Sequence, residues 1–294
     1  MTPLNLNDLA GLPVLKPGVM KILHAINQDE ADISDIANSI QHDIGLTARI
    51  LRVANSSFYG RSNQIASVKD GCVLLGKHTV RNLAFSAAVI NHLIPSSDTA
   101  IDCQILWRHS LRTAAVGIVL GKQVGTDEGN TFTSGLLHDL GRMVLIIHFP
   151  EHFAAVQQYQ SDHQCIAQEA EMAVLDIDHC TLGEEVAKKW NFPSHICRVI
   201  GSHHQPEHDY QNHLPRLIHV ADIISHGLDP SDVKSNLIHP VDEEAVKQLG
   251  LDWTQLGGLF EAMEEAYSSL STLLDSPEPN PAQSYADKPI TEAG

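Results

Sequence analysis

Apolar residues recur along most of this chain at the three- and four-residue spacing of helices. Val19, Ile22, Leu23 and Ile26 fall at i, i+3, i+4 and i+7, and Ile33, Ile36, Ala37 and Ile40 repeat the pattern. Such positions line one face of a helix. Ile44, Thr47, Ala48 and Leu51 predict a third helix, ended by Asn55-Ser56-Ser57, whose side chains compete for backbone hydrogen bonds. Asp32 or Ser34 is placed to cap the second. Gly71 and Gly76 interrupt the next stretch, and Val80, Leu83, Ala84, Ala87, Ala88 and Ile90 predict a well-buried helix. Pro95-Ser96-Ser97-Asp98 reads as a joint, which divides an N-terminal helical subdomain (1–95) from a second segment (96–274).

The second segment carries the same period. Trp107, Leu111, Ala114, Ala115 and Ile118 form one stripe, and Leu136, Leu137, Leu140, Val144 and Ile147 another. Thr181-Leu182-Gly183-Glu184 has the form of a capping box and predicts a helix from there to Trp190. Pro193 suits the first turn of the next helix, and Pro206 should end it. Leu217, Val220, Ala221 and Ile224 mark a further apolar face, and Leu256, Leu259, Phe260 and Met263 one more amphipathic helix. No series of alternating strands occurs, so the expected fold is all-α, with two packed helical subdomains. Residues 275–294 are rich in Pro and polar residues and are expected to be a disordered tail.

Composition narrows the function. Aromatics are 5% of the 294 residues, and the apolar share is mostly aliphatic, which suits helix packing. The net charge of −17 opposes binding to nucleic acid, whose affinity comes from Lys and Arg displacing counterions. The five cysteines include no C-x-x-C pair, so reduced thiols in a cytoplasm are expected rather than a disulfide framework. No secretory leader is visible, and no apolar run approaches the roughly 18–20 residues of a membrane helix. No glycine-rich phosphate loop, G-x-S-x-G elbow or H-E-x-x-H helix occurs.

The 18 histidines matter only where they converge, and more than half of them are expected to lie on the surface. His109 lies in WRHSLRTA, His138 and Asp139 in GLLHDLGR, His179 in DIDHCTLGEEV, His203 and His204 in IGSHHQP, and Asp222 in IHVADIIS. Taken singly, each is more often a core or surface residue than a ligand. Asp139 and Asp222, however, sit among aliphatic neighbours. An ionised carboxylate buried there costs several kcal/mol unless it is paired. A cation is one efficient partner. Imidazole and carboxylate together suit Zn, Fe, Mn or Ni better than Ca or Mg.

Longer blocks carry a resemblance. LPVLKPGVMKIL, DIANSIQHDIGLTARILRVANSSFYG and GCVLLGKHTVRNLAF resemble the N-terminal half of an HDOD domain, the HD-related output domain. WRHSLRTA, GLLHDLGRMVL, DHCTLGEEVAKKW and SHHQP resemble its C-terminal, HD-like half, so that the likeness covers about residues 10–225. It implies an all-helical fold and a role in bacterial signalling and regulation. Many members have lost the metal ligands of true HD phosphohydrolases. This sequence has the ordered set His, His-Asp, Asp at His109, His138, Asp139 and Asp222. His179 and His203, with His204, match the extra ligands of two-metal relatives such as the HD-GYP phosphodiesterases. By that resemblance Asp139 would bridge two metals, and Arg142 would stand where those relatives place a Lys near phosphate. The HD-GYP signature itself is absent after the His pair, where the chain reads HHQPEHDYQNHLP, so cyclic dinucleotide hydrolysis is not implied.

Two functions follow as expectations. One is a regulatory module with a divalent transition-metal site of one or two ions, serving a signalling protein or a small phosphorylated ligand, without nucleic acid or membrane. The alternative is a metal-dependent phosphohydrolase in which metal activates a water and Asp139 and Arg142 act in catalysis. The hydrolase requires Asp222 to be buried within reach of His138; without that, the regulatory reading rests on the resemblance alone.

Overall fold

The computed structural model describes residues 100–206, 213–228 and 237–271, together with residue 4, 32–40, several positions between 47 and 55, 65–77, 79 and 80. Every regular element among them is a helix, as the periodicity predicts: α1 (Ile33–Ile40), α2 (Ala100–Val124), α3 (Glu128–Leu137), α4 (Leu140–His148), α5 (Pro150–His163), α6 (Ala167–Leu175), α7 (His179–Lys189), α8 (Ser194–Ser202), α9 (Leu214–Leu228), α10 (Glu243–Gln248), α11 (Trp253–Leu256) and α12 (Phe260–Ser271). None is long and apolar enough to cross a membrane. The helix at 19–26, the stretch 83–90, the joint at 95–98 and the tail from 275 lie outside the described residues.

Helix α2 is the axis. From His109 to Gly121 every residue is buried, as expected of a helix whose apolar residues run round its whole circumference. Helices α3, α9 and α12 pack on it, α7 bridges α4 and α8, and α5 packs on α6. Helix α12 buries Met263, Ala266 and Leu270. It is tied to α2 by Arg112, which lies 3.9 Å over the Tyr267 ring and pairs with Glu264. Leu4 is buried, and its N–H donates to the carbonyl of Leu175 (3.1 Å).

Local signals account for several helix ends. The Asp32 carboxylate accepts from the Ser34 N–H, so Asp32 caps α1. The helix before Asn55 stops there; the Asn55 amide donates to the carbonyls of Leu51 and Ile65 and accepts from the Ile65 N–H. Pro193 precedes α8, which ends before Pro206.

Four expectations are corrected. The Leu136–Ile147 stripe is two helices, broken at His138-Asp139. Helix α7 begins two residues before the Thr181 box. Its cap is Asp178, whose carboxylate accepts from the Thr181 N–H (2.8 Å). Gly71 does not interrupt a helix. It lies within one, where a Cβ would press to 3.2 Å on Ile50, whereas Gly76 does have the left-handed φ of +77°. Phe260 is 44% exposed, and Leu256 takes the core position beside Met263.

Candidate metal centre

The centre is built at the break between α3 and α4. His138 is the last residue of the α3 turn and Asp139 the first before α4, so both side chains leave the chain at one corner. Glycines on either side bring two other helices to that corner. A Cβ on Gly135 would stand 2.6 Å from the Ala114 Cα of α2, the helix that carries His109. A Cβ on Gly141 would overlap the carbonyl oxygen of His179 at the start of α7. His203 and His204 arrive from the end of α8, and Asp222 from the middle of α9.

All the residues singled out in the sequence come together. Asp222 is 2% exposed, and its Oδ1 lies 2.8 Å from His109 Nε2 and 3.6 Å from His138 Nε2. Asp139 divides its oxygens: Oδ2 is 3.7 Å from His138 Nε2, while Oδ1 is 3.3 Å from His179 Nε2 and 3.7 Å from His203 Nε2. His204 joins the two halves. One of its nitrogens lies 3.0 Å from His179 Nε2 and the other 3.7 Å from Asp222 Oδ2. The result is two adjoining donor sets, His109/His138/Asp222 and His179/His203/His204, with Asp139 between them.

Surrounding groups fix how the rings point. His138 Nδ1 donates to the Gly135 carbonyl (2.7 Å) and His203 Nδ1 to the Ile200 carbonyl (3.0 Å), which turns each Nε2 inward. His179 Nδ1 donates to Glu171 Oε2 (2.6 Å), an oxygen that also accepts the His179 backbone N–H (2.8 Å). A ring held by a carbonyl or carboxylate at one nitrogen, with the other turned toward the centre, is the arrangement of metal-binding histidines. Three buried atoms that face the centre have no hydrogen-bond partner: His138 Nε2, Asp139 Oδ1 and His204 Nδ1. Buried polar atoms are nearly always satisfied. A cation held among His138, Asp139 and His203, whose ligand atoms lie within 4.8 Å of one another, would satisfy the first two, so the residues fit a metal.

The electrostatics divide the centre: against burial, Glu171 and Cys180 raise the pKa of His179 well above the ordinary imidazole value, and Cys180 and Asp139 raise that of His203 to about 10. Burial lowers the pKa of His138 in spite of Asp139 and Asp222. Burial acts to raise the pKa of Asp139, but His138, Arg142, His203 and His179 hold it well below the usual carboxylate range. Asp222 is likewise held well below that range by His226, His109 and His138, against burial. Ionised acids among imidazoles are a donor set that could hold a divalent ion.

Four contributors were not found from the sequence. Glu171 is buried at 1% exposure and orients His179. Cys180 places its sulfur 3.7 Å from His203 Nδ1. His226 stacks on His109 at 4.1 Å and approaches Asp222 to 3.4 Å, and His239 stacks on His204 at 3.6 Å. The i, i+4 spacing of Asp222 and His226 was a usable signal for one of them; the others come from positions with no such relation. Other histidines serve locally, as His163 does in stacking on Tyr159 at 3.8 Å.

Arg142, 27% exposed at its side chain, reaches Asp139 Oδ2 at 3.2 Å. It also lines a cavity of about 410 Å³ between α2, α4, α5 and α6, with Leu106, Ile146, Phe153, Gln157 and Glu171. Arg142 and Glu171 each touch a residue of the centre, so the cavity adjoins it.

Known proteins are similar to this chain in sequence and in fold. An uncharacterized protein of Treponema pallidum is 24% identical over 212 residues, 71% of this chain and 41% of its own length. Ribonuclease Y of Lawsonia intracellularis is 26% identical over 165 residues, 56% of this chain and 25% of the enzyme. The chain thus spans less than half the length of either relative. Among solved structures, an HDOD domain protein of unknown function from Geobacter sulfurreducens superposes with a TM-score of 0.72 at 23% identity, covering 91% of this chain and 96% of that one. A phosphohydrolase candidate from Shewanella amazonensis does so with 0.68 at 22%, covering 90% and 97%. These likenesses establish the all-helical fold. The sequence pattern of the HDOD domain matches residues 12–206, and the chain belongs to the HDOD domain family.

Proposed function

We propose that this protein is a metal-dependent regulatory module whose His/Asp centre, together with the cavity beside it, receives a small phosphorylated ligand and passes the result to a signalling partner. One observation carries the reading: His138 Nε2, Asp139 Oδ1 and His204 Nδ1 are buried, face one another's ligand sets and lack hydrogen-bond partners. His109, His138, Asp139 and Asp222 would hold one ion; His179, His203 and His204 would hold another beside it. Membership in the HDOD family supports the regulatory part. The five unpaired thiols suit a reducing compartment, which supports a cytoplasmic location.

A second reading, hydrolysis of the phosphoester, is favoured by Arg142 and by the hydrolytic names of two relatives. Divalent ions, when bound, lower the pKa of water and offset charge on a phosphoryl group. The chain's own residues would do the rest. Arg142 would fork onto phosphate oxygens from the cavity wall. Asp139 would orient Arg142, and Leu106 and Ile146 would form the apolar part of the wall beside the ester. The net charge of −17 disfavours long nucleic-acid strands, so small phosphoesters fit this site better than RNA.

Elemental analysis of protein purified without chelator tests both readings, alongside a screen of mono- and dinucleotides, generic phosphoesters and short RNA. Metal near one or two equivalents, lost in His138→Ala and Asp139→Ala, is the expected result. Turnover lost in the same variants would establish the hydrolase. Metal with ligand binding but no turnover would leave the regulatory module. Protein that takes up no metal under any condition would overturn both.

A further inference from the structure

We infer that Cys180 is a thiolate ligand of the metal position formed by His179, His203 and His204, and that this sulfur biases the position toward zinc or another thiophilic divalent ion. The inference rests on the metal-centre reading above and adds a residue and a metal class to it.

Position is the first ground. Cys180 follows His179 at the start of α7 and is 3% exposed. Its sulfur and one nitrogen from each of His179, His203 and His204 all lie within 4.8 Å of one another. The sulfur is 4.0 Å from His203 Nε2, and His179 Nε2 is 3.0 Å from His204 Nε2. Around a tetrahedral zinc with Zn–N of about 2.0–2.1 Å and Zn–S of about 2.3 Å, neighbouring ligand atoms stand roughly 3.3–3.6 Å apart. Small rotations of the side chains close that difference.

The second ground is the contrast with the other thiols. A buried free cysteine usually serves as a small hydrophobe. Cys72, Cys103 and Cys197 do so, as members of the apolar core cluster. Cys180 is equally buried but stands outside that cluster, with its sulfur against imidazoles. A neutral packing role explains burial without explaining that company.

The consequence is a difference between the two halves of the centre. His109, His138, Asp139 and Asp222 offer only nitrogen and oxygen, which accept manganese, iron or zinc alike. A three-imidazole, one-thiolate set favours softer ions, and manganese or magnesium would be poor occupants. The two positions are therefore expected to fill with different metals when several are offered.

The test uses the full chain loaded with cobalt(II) and, separately, with zinc. Cobalt should give visible d–d bands and a near-ultraviolet thiolate-to-cobalt charge-transfer band. X-ray absorption on the zinc form should show a sulfur neighbour at about 2.3 Å beside nitrogen and oxygen at about 2.0–2.1 Å. Cys180→Ser and Cys180→Ala should lose the charge-transfer band and the sulfur shell while still binding cobalt at the nitrogen- and oxygen-lined position. Circular dichroism of the variants checks that they fold. Cobalt bound with d–d bands but no thiolate band would overturn the inference and leave the metal centre standing. A sulfur shell that persists in Cys180→Ser would also overturn it. If neither metal binds, the metal-centre reading fails and this inference fails with it.

Discussion

Gly141 lies against the carbonyl of His179 with no space for a β-carbon between them. Gly183, one turn along α7, faces Gly141 in return, since a Cβ there would stand 2.8 Å from the Gly141 nitrogen. The near-contact of these two backbones lets α7 approach α4 closely enough for His179 Nε2 to reach 3.3 Å from Asp139 Oδ1. Gly141→Ala forces the helices apart. It is expected to destabilise the fold by about 1–3 kcal/mol or more and to lower metal content although every ligand is retained. Gly227 in α9 meets nothing within 4 Å. Gly227→Ala should therefore be neutral or stabilise by up to about 1 kcal/mol. Thermal unfolding of the pair, with metal analysis, checks both.

Glu171 acts on the centre through His179. Its Oε2 accepts two hydrogen bonds from that residue, one from the ring and one from the backbone. Glu171→Gln keeps the shape but removes the charge that makes the ring a strong donor to metal. Loss of such a supporting contact weakens metal binding roughly 10- to 100-fold. Competition with a chelator of known affinity should show that loss with helical content unchanged.

Asp178 caps α7 directly before His179. Burial acts to raise its pKa, but hydrogen bonds from Thr181 and Gln168 outweigh this and hold it below the ordinary value of 3.8. A folded-state pKa below the unfolded one adds stability that is present above the unfolded value and lost as pH falls toward the folded one. Asp178→Ala should therefore cost about 1 kcal/mol near neutral pH, the usual worth of an N-cap. The difference in melting temperature from the parent should narrow as pH drops below 3.8. A gap independent of pH would show that the carboxylate's charge is not what matters.

Arg142 is the cationic side chain on the wall of the cavity beside the centre. A charge-assisted hydrogen bond is worth about 1.5–3 kcal/mol, so Arg142→Ala should weaken binding of a phosphate monoester by roughly 10- to 150-fold. Arg142→Lys should recover only part of this, because an ammonium does not fork onto two oxygens. Metal content should stay at the parent level in both. Isothermal titration with and without metal separates ligand loss from metal loss.

Much of this could be read along the chain because its cause is local. Amphipathic period predicts helices at α1, α2 and α9, and Asp32 and Pro193 mark helix starts through their own backbone chemistry. The acids Asp139 and Asp222 stood out because their immediate neighbours are aliphatic, and burial of charge among such residues demands a partner. Errors arose where two local signals competed. Thr181 offered a capping box, but Asp178, three residues earlier, already accepts the Thr181 N–H. The apolar stripe through Leu136–Ile147 has the period of one helix and gives no sign that the chain breaks at His138.

By itself, then, the sequence determined the helical class and the identity of the chemically capable residues, since hydrophobic period and side-chain type act over a few positions. Only the tertiary structure decided that donors up to 113 positions apart, such as His109 and Asp222, lie 2.8 Å from each other, and that Glu171, Cys180, His226 and His239 join them. The physical reason is packing. Missing β-carbons at Gly135 and Gly141 set how closely the helices cross, and that distance is a property of two surfaces in contact, which neither segment encodes alone.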